Sequence, residues 1–226
     1  MQEILSSNND NIINLRKIST LDMIICEIES SLNILSGKVQ SYRENPSIKI
    51  CDEYLLSDEE NLFVSRLMRI NHVGEICAQA LYRGQAFACN DKNIKNLFIN
   101  ASLEEIDHLV WCAHRIKELK GRTSVLIPFW YTGSFLLGLI VSFYGSSINL
   151  GFMSETEKQV EAHLEEHLKL IPYIDSKSRS ILLQMQKDEM HHREVADIAG
   201  ADNLSYLSKM AMKIMSKFMT KLTYWL

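Results

Sequence analysis

The chain has 226 residues, 46% hydrophobic, with a formal net charge of −4. That length and apolar content support a sizeable core, and the mild acidity gives no reason to propose a nucleic-acid partner. Only three Pro and nine Gly interrupt it, and the five cysteines (Cys26, Cys51, Cys77, Cys89, Cys112) form no C-x-x-C pair, which argues for reduced thiols rather than a disulfide frame.

Residues 1–18 are polar and Asn-rich, with no basic start before an apolar run, so they carry no secretory signal and are expected to fray. Ser19 caps a predicted helix to about Leu35, with Leu21, Ile24, Ile25, Ile28, Leu32 and Leu35 on one apolar stripe. Gly37 ends it, and residues 38–56 are expected as a linker broken at Asn45-Pro46. Residues 1–56 thus form an N-terminal helix and linker; residues 57–226 form the main domain.

Ser57-x-x-Glu60 is a capping box, opening a long helix to about Cys89. Val64, Met68, Asn71, Glu75, Gln79 and Tyr82 share one of its faces. Half of that face is polar, which is costly to bury without partners. Asp91 caps the next helix, which runs to Lys120. Its stripe is Leu97, Ala101, Glu105, His108, Cys112, Ile116 and Leu119. Glu104 lies about 100° round from Glu105, so periodicity selects Glu105 as the inward carboxylate and leaves Glu104 on the flank.

From Thr123 through Ser154 no residue is charged. A membrane-spanning helix needs roughly 20 apolar residues. This run is broken by Pro128, Gly133, Gly138 and Gly145, so it is expected as a hydrophobic crossover (about 123–153) that touches a membrane surface. Ser154-x-x-Glu157 is a second capping box, and its predicted helix carries Glu157, Glu161, Leu164, Leu168 and Ile171 on one face before Pro172. The following helix, from Ser176 or Ser178 to Gly200, has Leu182, Met185, Glu189, His192, Ala196 and Ala199 as its stripe. Asp188 and His191 have the same spacing but lie on its flank. The last helix, from Asn203, sets apolar Leu207, Met210, Ile214, Phe218 and Leu222 beside Lys209, Lys213, Lys217 and Lys221. A basic amphipathic helix of that kind suits an anionic membrane surface.

Two similar blocks stand out. Glu75 is followed some thirty residues later by Glu105-x-x-His108, and Glu161 by Glu189-x-x-His192. Four helices that each present Glu or Glu-x-x-His to a shared centre build a ferritin-like four-helix bundle with a dinuclear carboxylate site. The predicted fold is therefore all-α: such a bundle, with extra N-terminal and C-terminal helices and the crossover. Glutamate oxygens with one imidazole per ion suit iron or manganese better than soft-ligand metals. Asn71, His72, Gln79, Tyr82, Asp107 and Asp188 are candidates for the outer shell that holds such ligands. His114 and His163 are expected as ordinary surface or core histidines.

Further stretches carry a resemblance: Leu67 through Glu75, Ala80 through Gln85, Glu104 through Leu109, Pro128 through Trp130, Val160 through Leu164, and Asp188 through His192. In these the chain, over about residues 60–225, resembles the demethoxyubiquinone hydroxylase family in its bacterial form. The resemblance implies an O2-dependent monooxygenase that hydroxylates the ring of a polyprenyl demethoxyubiquinol late in ubiquinone biosynthesis. It implies two iron ions per chain, held by Glu75, Glu105, His108, Glu161, Glu189 and His192, with no other catalytic residues and no other cofactor. It also implies a peripheral location on the cytoplasmic face of the bacterial inner membrane, an electron donor that the sequence does not identify, and other ubiquinone-biosynthesis proteins as partners. The alternative is an iron oxidation or storage protein of ferritin or rubrerythrin type.

Overall fold

The computed structural model describes residues 19–51 and 56–226. Among them are seven helices and no strand: α1 Thr20–Leu35, α2 Asp58–Ala88, α3 Lys92–Glu118, α4 Ile127–Ser142, α5 Ser146–Leu170, α6 Ser176–Ile198 and α7 Tyr206–Trp225. The expected frayed segment 1–18 lies outside the described residues. The chain divides into two units, residues 1–37 and 38–226.

The first unit holds α1. Ser19 caps it reciprocally with Asp22, as its position ahead of the apolar stripe requires. Leu21, Ile24, Ile25, Ile28 and Leu32 on that stripe are exposed.

The second unit is the bundle. The Ser57–Glu60 capping box starts α2, which continues for 31 residues and so reaches about 46 Å at 1.5 Å per residue. It packs against α3 on one side and α4 on the other; α5 packs against α6, and the two hairpins meet where α3 faces α6 and α2 faces α5. Two apolar layers fill the interior. One joins Val64, Leu67, Met68, Trp111, Ile116, Leu164, Leu182 and Met185; the other joins Leu81, Tyr82, Phe98, Leu150, Met153 and Ala196. On each of the four helices the functional carboxylates and imidazoles fall between these layers, so the polar site is a slab with oil above and below it.

The uncharged run, expected as a hydrophobic crossover, is largely helical. It folds into α4 and the first turns of α5, separated by a turn at Gly145, whose φ of +97° is costly for any residue with a Cβ. Pro128 sits in the first turn of α4, where its missing N–H costs nothing. Gly84 of α2 and Gly138 of α4 face each other's helices: a Cβ on Gly84 would collide with the Phe135 carbonyl, and one on Gly138 with that of Leu81. The two backbones therefore touch. At 16 residues α4 spans about 24 Å, short of a bilayer core of about 30 Å, and no described helix is long and apolar enough to cross a membrane.

Residues 38–51, expected to form a linker, are docked on the bundle. Ser180 Oγ donates to the Pro46 carbonyl at 3.1 Å, and the Tyr42 N–H donates to Asp107 at 2.6 Å. At the far end, α7 starts at Tyr206 behind the Ser205 cap. Its apolar stripe is turned outward: Leu207, Met210, Ile214 and Phe218 are all exposed.

Candidate metal centre

Six side chains from four helices meet between the apolar layers: Glu75 of α2, Glu105 and His108 of α3, Glu157 of α5, and Glu189 and His192 of α6. They form two interlocking groups, Glu75–Glu105–His108–Glu189 and Glu105–Glu157–Glu189–His192, with ligand atoms in each lying within 4.8 Å of one another. Glu105 and Glu189 belong to both groups. All six residues are buried, Glu105, His108 and Glu157 completely.

Five of the six residues expected at the site are gathered there. Glu161 is not. Its side chain is 29% exposed and pairs with Arg193 at 3.3 Å. Glu157, one turn earlier on the same face, takes the interior place, and Tyr82 Oη donates to its carboxylate. The physical reason lies in where α5 begins. The Ser154-x-x-Glu157 pattern suggests an N-terminal cap, which would spend Glu157 on backbone N–H groups. Because α5 starts at Ser146, Glu157 is in mid-helix and free to point inward. Four residues along a helix amount to about 6 Å, which separates the level of Glu189 and His192 from the surface position of Glu161.

Each imidazole is held from behind by an acid of the opposite motif. His108 turns Nδ1 toward Glu75, Glu105 and Glu189 at 3.2–3.4 Å, and its Nε2 meets Asp188 at 2.9 Å. His192 turns Nδ1 toward Glu105, Glu157 and Glu189, and its Nε2 meets Glu104 at 3.1 Å. An Nε2–H donated to the carboxylate leaves the Nδ1 lone pair facing the centre, the arrangement of a metal-ligating histidine. Glu104, placed on the flank by periodicity, is therefore an outer partner of His192. The clue in the sequence was the acid directly before each Glu-x-x-His: Glu104 before Glu105, Asp188 before Glu189.

Of the other expected outer-shell residues, Tyr82, Asp107 and Asp188 contact this network. Asn71, His72 and Gln79 are buried near it, with Asn71 Oδ1, His72 Nδ1 and both amide atoms of Gln79 lacking a hydrogen-bond partner. Burial alone pushes the His72 pKa down to about 4. His114 is exposed beside Glu118, and His163 lies against His167 with ring centres 4.0 Å apart and ring planes 57° apart.

The electrostatics are those of an anionic cage that calls for cations. Burial raises the Glu75 carboxyl well above the usual range, only partly offset by its hydrogen bond to His108. Burial and the neighbouring Glu189 charge do the same to Glu157. Burial opposes charge on His108, but the carboxylates of Asp188, Glu105, Glu189 and Glu75 outweigh it and hold the imidazolium form. For Glu105 burial is likewise outweighed, here by His108 and His192, and its carboxyl stays below the usual range. Glu105 Oε1, Glu157 Oε2, both oxygens of Glu189 and His192 Nδ1 have no hydrogen-bond partner. Each such buried orphan costs about 1–3 kcal/mol, and all face one centre. Hard oxygen donors with one imidazole per group, and no cysteine in either group, fit iron or manganese.

Residues 62–223 match the sequence profile of the family described as Ubiquinone biosynthesis protein COQ7. The chain is also similar to proteins named 3-demethoxyubiquinol 3-hydroxylase. One, from Bordetella petrii, is 46% identical over 93% of this chain and 94% of its own length. Another, from Bordetella avium, is 49% identical over 92% and 96%. A third, from Coxiella burnetii, is 46% identical over 94% and 99%.

Proposed function

The chain belongs to the COQ7 family of ubiquinone biosynthesis proteins, and from that membership we propose that it is a 3-demethoxyubiquinol 3-hydroxylase, an O2-dependent monooxygenase acting late in ubiquinone biosynthesis. The observation that carries the reading is the pair of interlocking groups sharing Glu105 and Glu189. In this reading Glu75, Glu105, His108 and Glu189 would hold one iron ion, and Glu105, Glu157, Glu189 and His192 the other. The ions supply the activation of O2, a reaction that side chains alone do not perform.

The protein's own part is orientation and exclusion of water. Asp188 and Glu104 fix the Nε2–H of the two imidazoles, so that Nδ1 is the ligating atom in each. Tyr82 steadies the Glu157 carboxylate from behind. The apolar layers above and below the cage keep bulk water from the reacting ring. Ring hydroxylation replaces a C–H by C–OH, takes one oxygen atom from O2 and releases the other as water, consuming two protons and two electrons. The electrons come from a donor outside this chain.

A substrate with a polyprenyl tail lives in a membrane, and the proposed location is the cytoplasmic surface of one. Two features support it. The exposed apolar residues Phe129, Leu136, Leu137, Ile140, Phe143 and Tyr144 run along α4 and into its turn, and α7 exposes its apolar stripe near Lys213, Lys217 and Lys221. Trp130 of α4 and Phe218 of α7 meet edge to face, which makes the two surfaces continuous. Attachment by an apolar face with flanking lysines needs no spanning helix.

The test is turnover under 18O2. Iron-loaded protein in liposomes with demethoxyubiquinol and a chemical reductant should give a product heavier by one labelled oxygen. Iron oxidation with no labelled quinol would overturn the hydroxylase reading and favour iron storage. A purified chain that retains no metal would remove both.

A further inference from the structure

The two metal positions differ in what stands behind their histidines. Behind His108 is a cation from outside the four site helices. Arg43, in the segment ahead of α2, donates from Nε to Asp107 at 2.6 Å and pairs through Nη1 with Asp188 at 2.9 Å. Its Nη2 lies 3.4 Å from His108 Nε2, and its guanidinium stacks 5.0 Å from the Trp111 ring centre. The backbone is latched at the same place, because the Tyr42 N–H also donates to Asp107. Gln184 holds the other oxygen of Asp188 at 3.0 Å. Behind His192 there is Glu104, with a side chain 43% exposed.

We propose that Arg43 is a positioning residue for one metal position only: by clamping Asp107 and Asp188 it holds the His108 imidazole, so that residues before the bundle tune the site formed by Glu75, Glu105, His108 and Glu189. The inference rests on the dinuclear reading of the cage.

The physical case is that Asp107 and Asp188 are two carboxylates on one guanidinium, and Asp188 is the one that meets the imidazole. With the guanidinium between them they are bridged; without it they repel, and Asp188 gains freedom to swing away from Nε2. A planar fork is the group that can serve two carboxylates and stack on an indole at once, and an ammonium cannot do all three. Acceptors behind a ligating histidine typically affect metal affinity 10–100-fold. Glu104 makes no hydrogen bond or ion pair with Arg43 and feels its charge only at longer range, so the effect falls chiefly on one of the two positions.

The experiment is titration of metal-free full-length protein with cobalt(II), followed by calorimetry and by ligand-field absorption. The parent should bind two ions. Arg43→Ala should weaken one of them by about 10–100-fold, shift only that ion's absorption, and leave the other affinity unchanged. Arg43→Lys should recover part of the loss. Ser180→Ala loosens the same segment at Pro46 without touching the guanidinium and should bind like the parent. If Arg43→Ala keeps both parental affinities, or weakens both equally, the inference is overturned. It is overturned too if Ser180→Ala loses as much as Arg43→Ala, because docking of the segment would then be the cause. A parent that binds no cobalt would instead remove the dinuclear reading itself.

Discussion

Exchanging Glu157 for Gln separates the two candidate carboxylates of α5. Glutamine keeps the volume and keeps an oxygen to accept from Tyr82, and it removes the charge. In the metal-free protein Glu157 is fully buried beside Glu105 and Glu189, and burial with the Glu189 charge already raises its carboxyl. A carboxyl raised by burial must take up a proton to fold at neutral pH, at about 1.4 kcal/mol per pKa unit, and glutamine avoids that cost, so the exchange should stabilise the metal-free protein by about 1–2 kcal/mol. The loss of its 3.6 Å contact with His192 Nδ1 offsets part of that gain. At roughly 2–4 °C per kcal/mol for a chain of this size, the metal-free variant should melt about 2–8 °C higher than the parent. Its iron content should fall below two per chain, because an amide oxygen does not replace an anionic ligand. Glu161→Gln is the control. Its partner Arg193 is also 29% exposed, so that pair contributes about 0–1 kcal/mol, and iron content should be unchanged. Iron per chain by mass spectrometry and thermal unfolding of the metal-free proteins read both quantities. Two irons retained by Glu157→Gln, or iron lost from Glu161→Gln, would refute the placement of Glu157 in the cage.

Metal affinity should fall as pH is lowered through the neutral range: the raised Glu75, Glu157, His108 and His192 hold protons in the metal-free protein that the ions must displace, so loading releases protons to a weakly buffered medium. Affinity that is constant from pH 8 to pH 6 would contradict this. Gly138→Val should destabilise by more than about 1–3 kcal/mol, since its side chain meets the Leu81 backbone carbonyl and helix backbones give less readily than side chains; urea unfolding measures it. Asp175→Ala should cost about 1–3 kcal/mol, because it removes one of two carboxylates on the buried Arg115 guanidinium, which keeps Glu118, and the cap on the Ser178 N–H. Leu137→Asp and Ile140→Asp, on exposed positions of α4, should leave unfolding within about 0.5 kcal/mol of the parent and lower co-sedimentation with liposomes; unchanged sedimentation would count against the α4 surface.

Much of the molecule was legible in the sequence because helices report themselves locally. The stripes that carry Glu75, Glu105–His108 and Glu189–His192 place an acid or imidazole on the core-facing side of a helix, and a face is settled by 3.6-residue periodicity alone. The Ser19 cap and the Ser57–Glu60 capping box marked the starts of α1 and α2 to within a residue, whereas Ser154-x-x-Glu157 marked no helix start. What periodicity does not settle is height along the bundle. Glu157 and Glu161 are one turn apart on the same stripe, so the sequence leaves them equivalent, and near-equal spacing of the two blocks favoured Glu161, which the fold places outside the cage. The level is decided by how α5 slides against α6, and that depends on where α5 begins, at a glycine turn inside an uncharged run that reads as irregular. Glu104 and Arg43 escaped for a related reason. Their partners, His192 and the Asp107–Asp188 pair, lie far away in the chain or on another helix, and contacts between distant segments leave no local period. The kinds of group that make the cage are thus written in sequence, while its register, and the cation behind one histidine, exist only once the hairpins are packed.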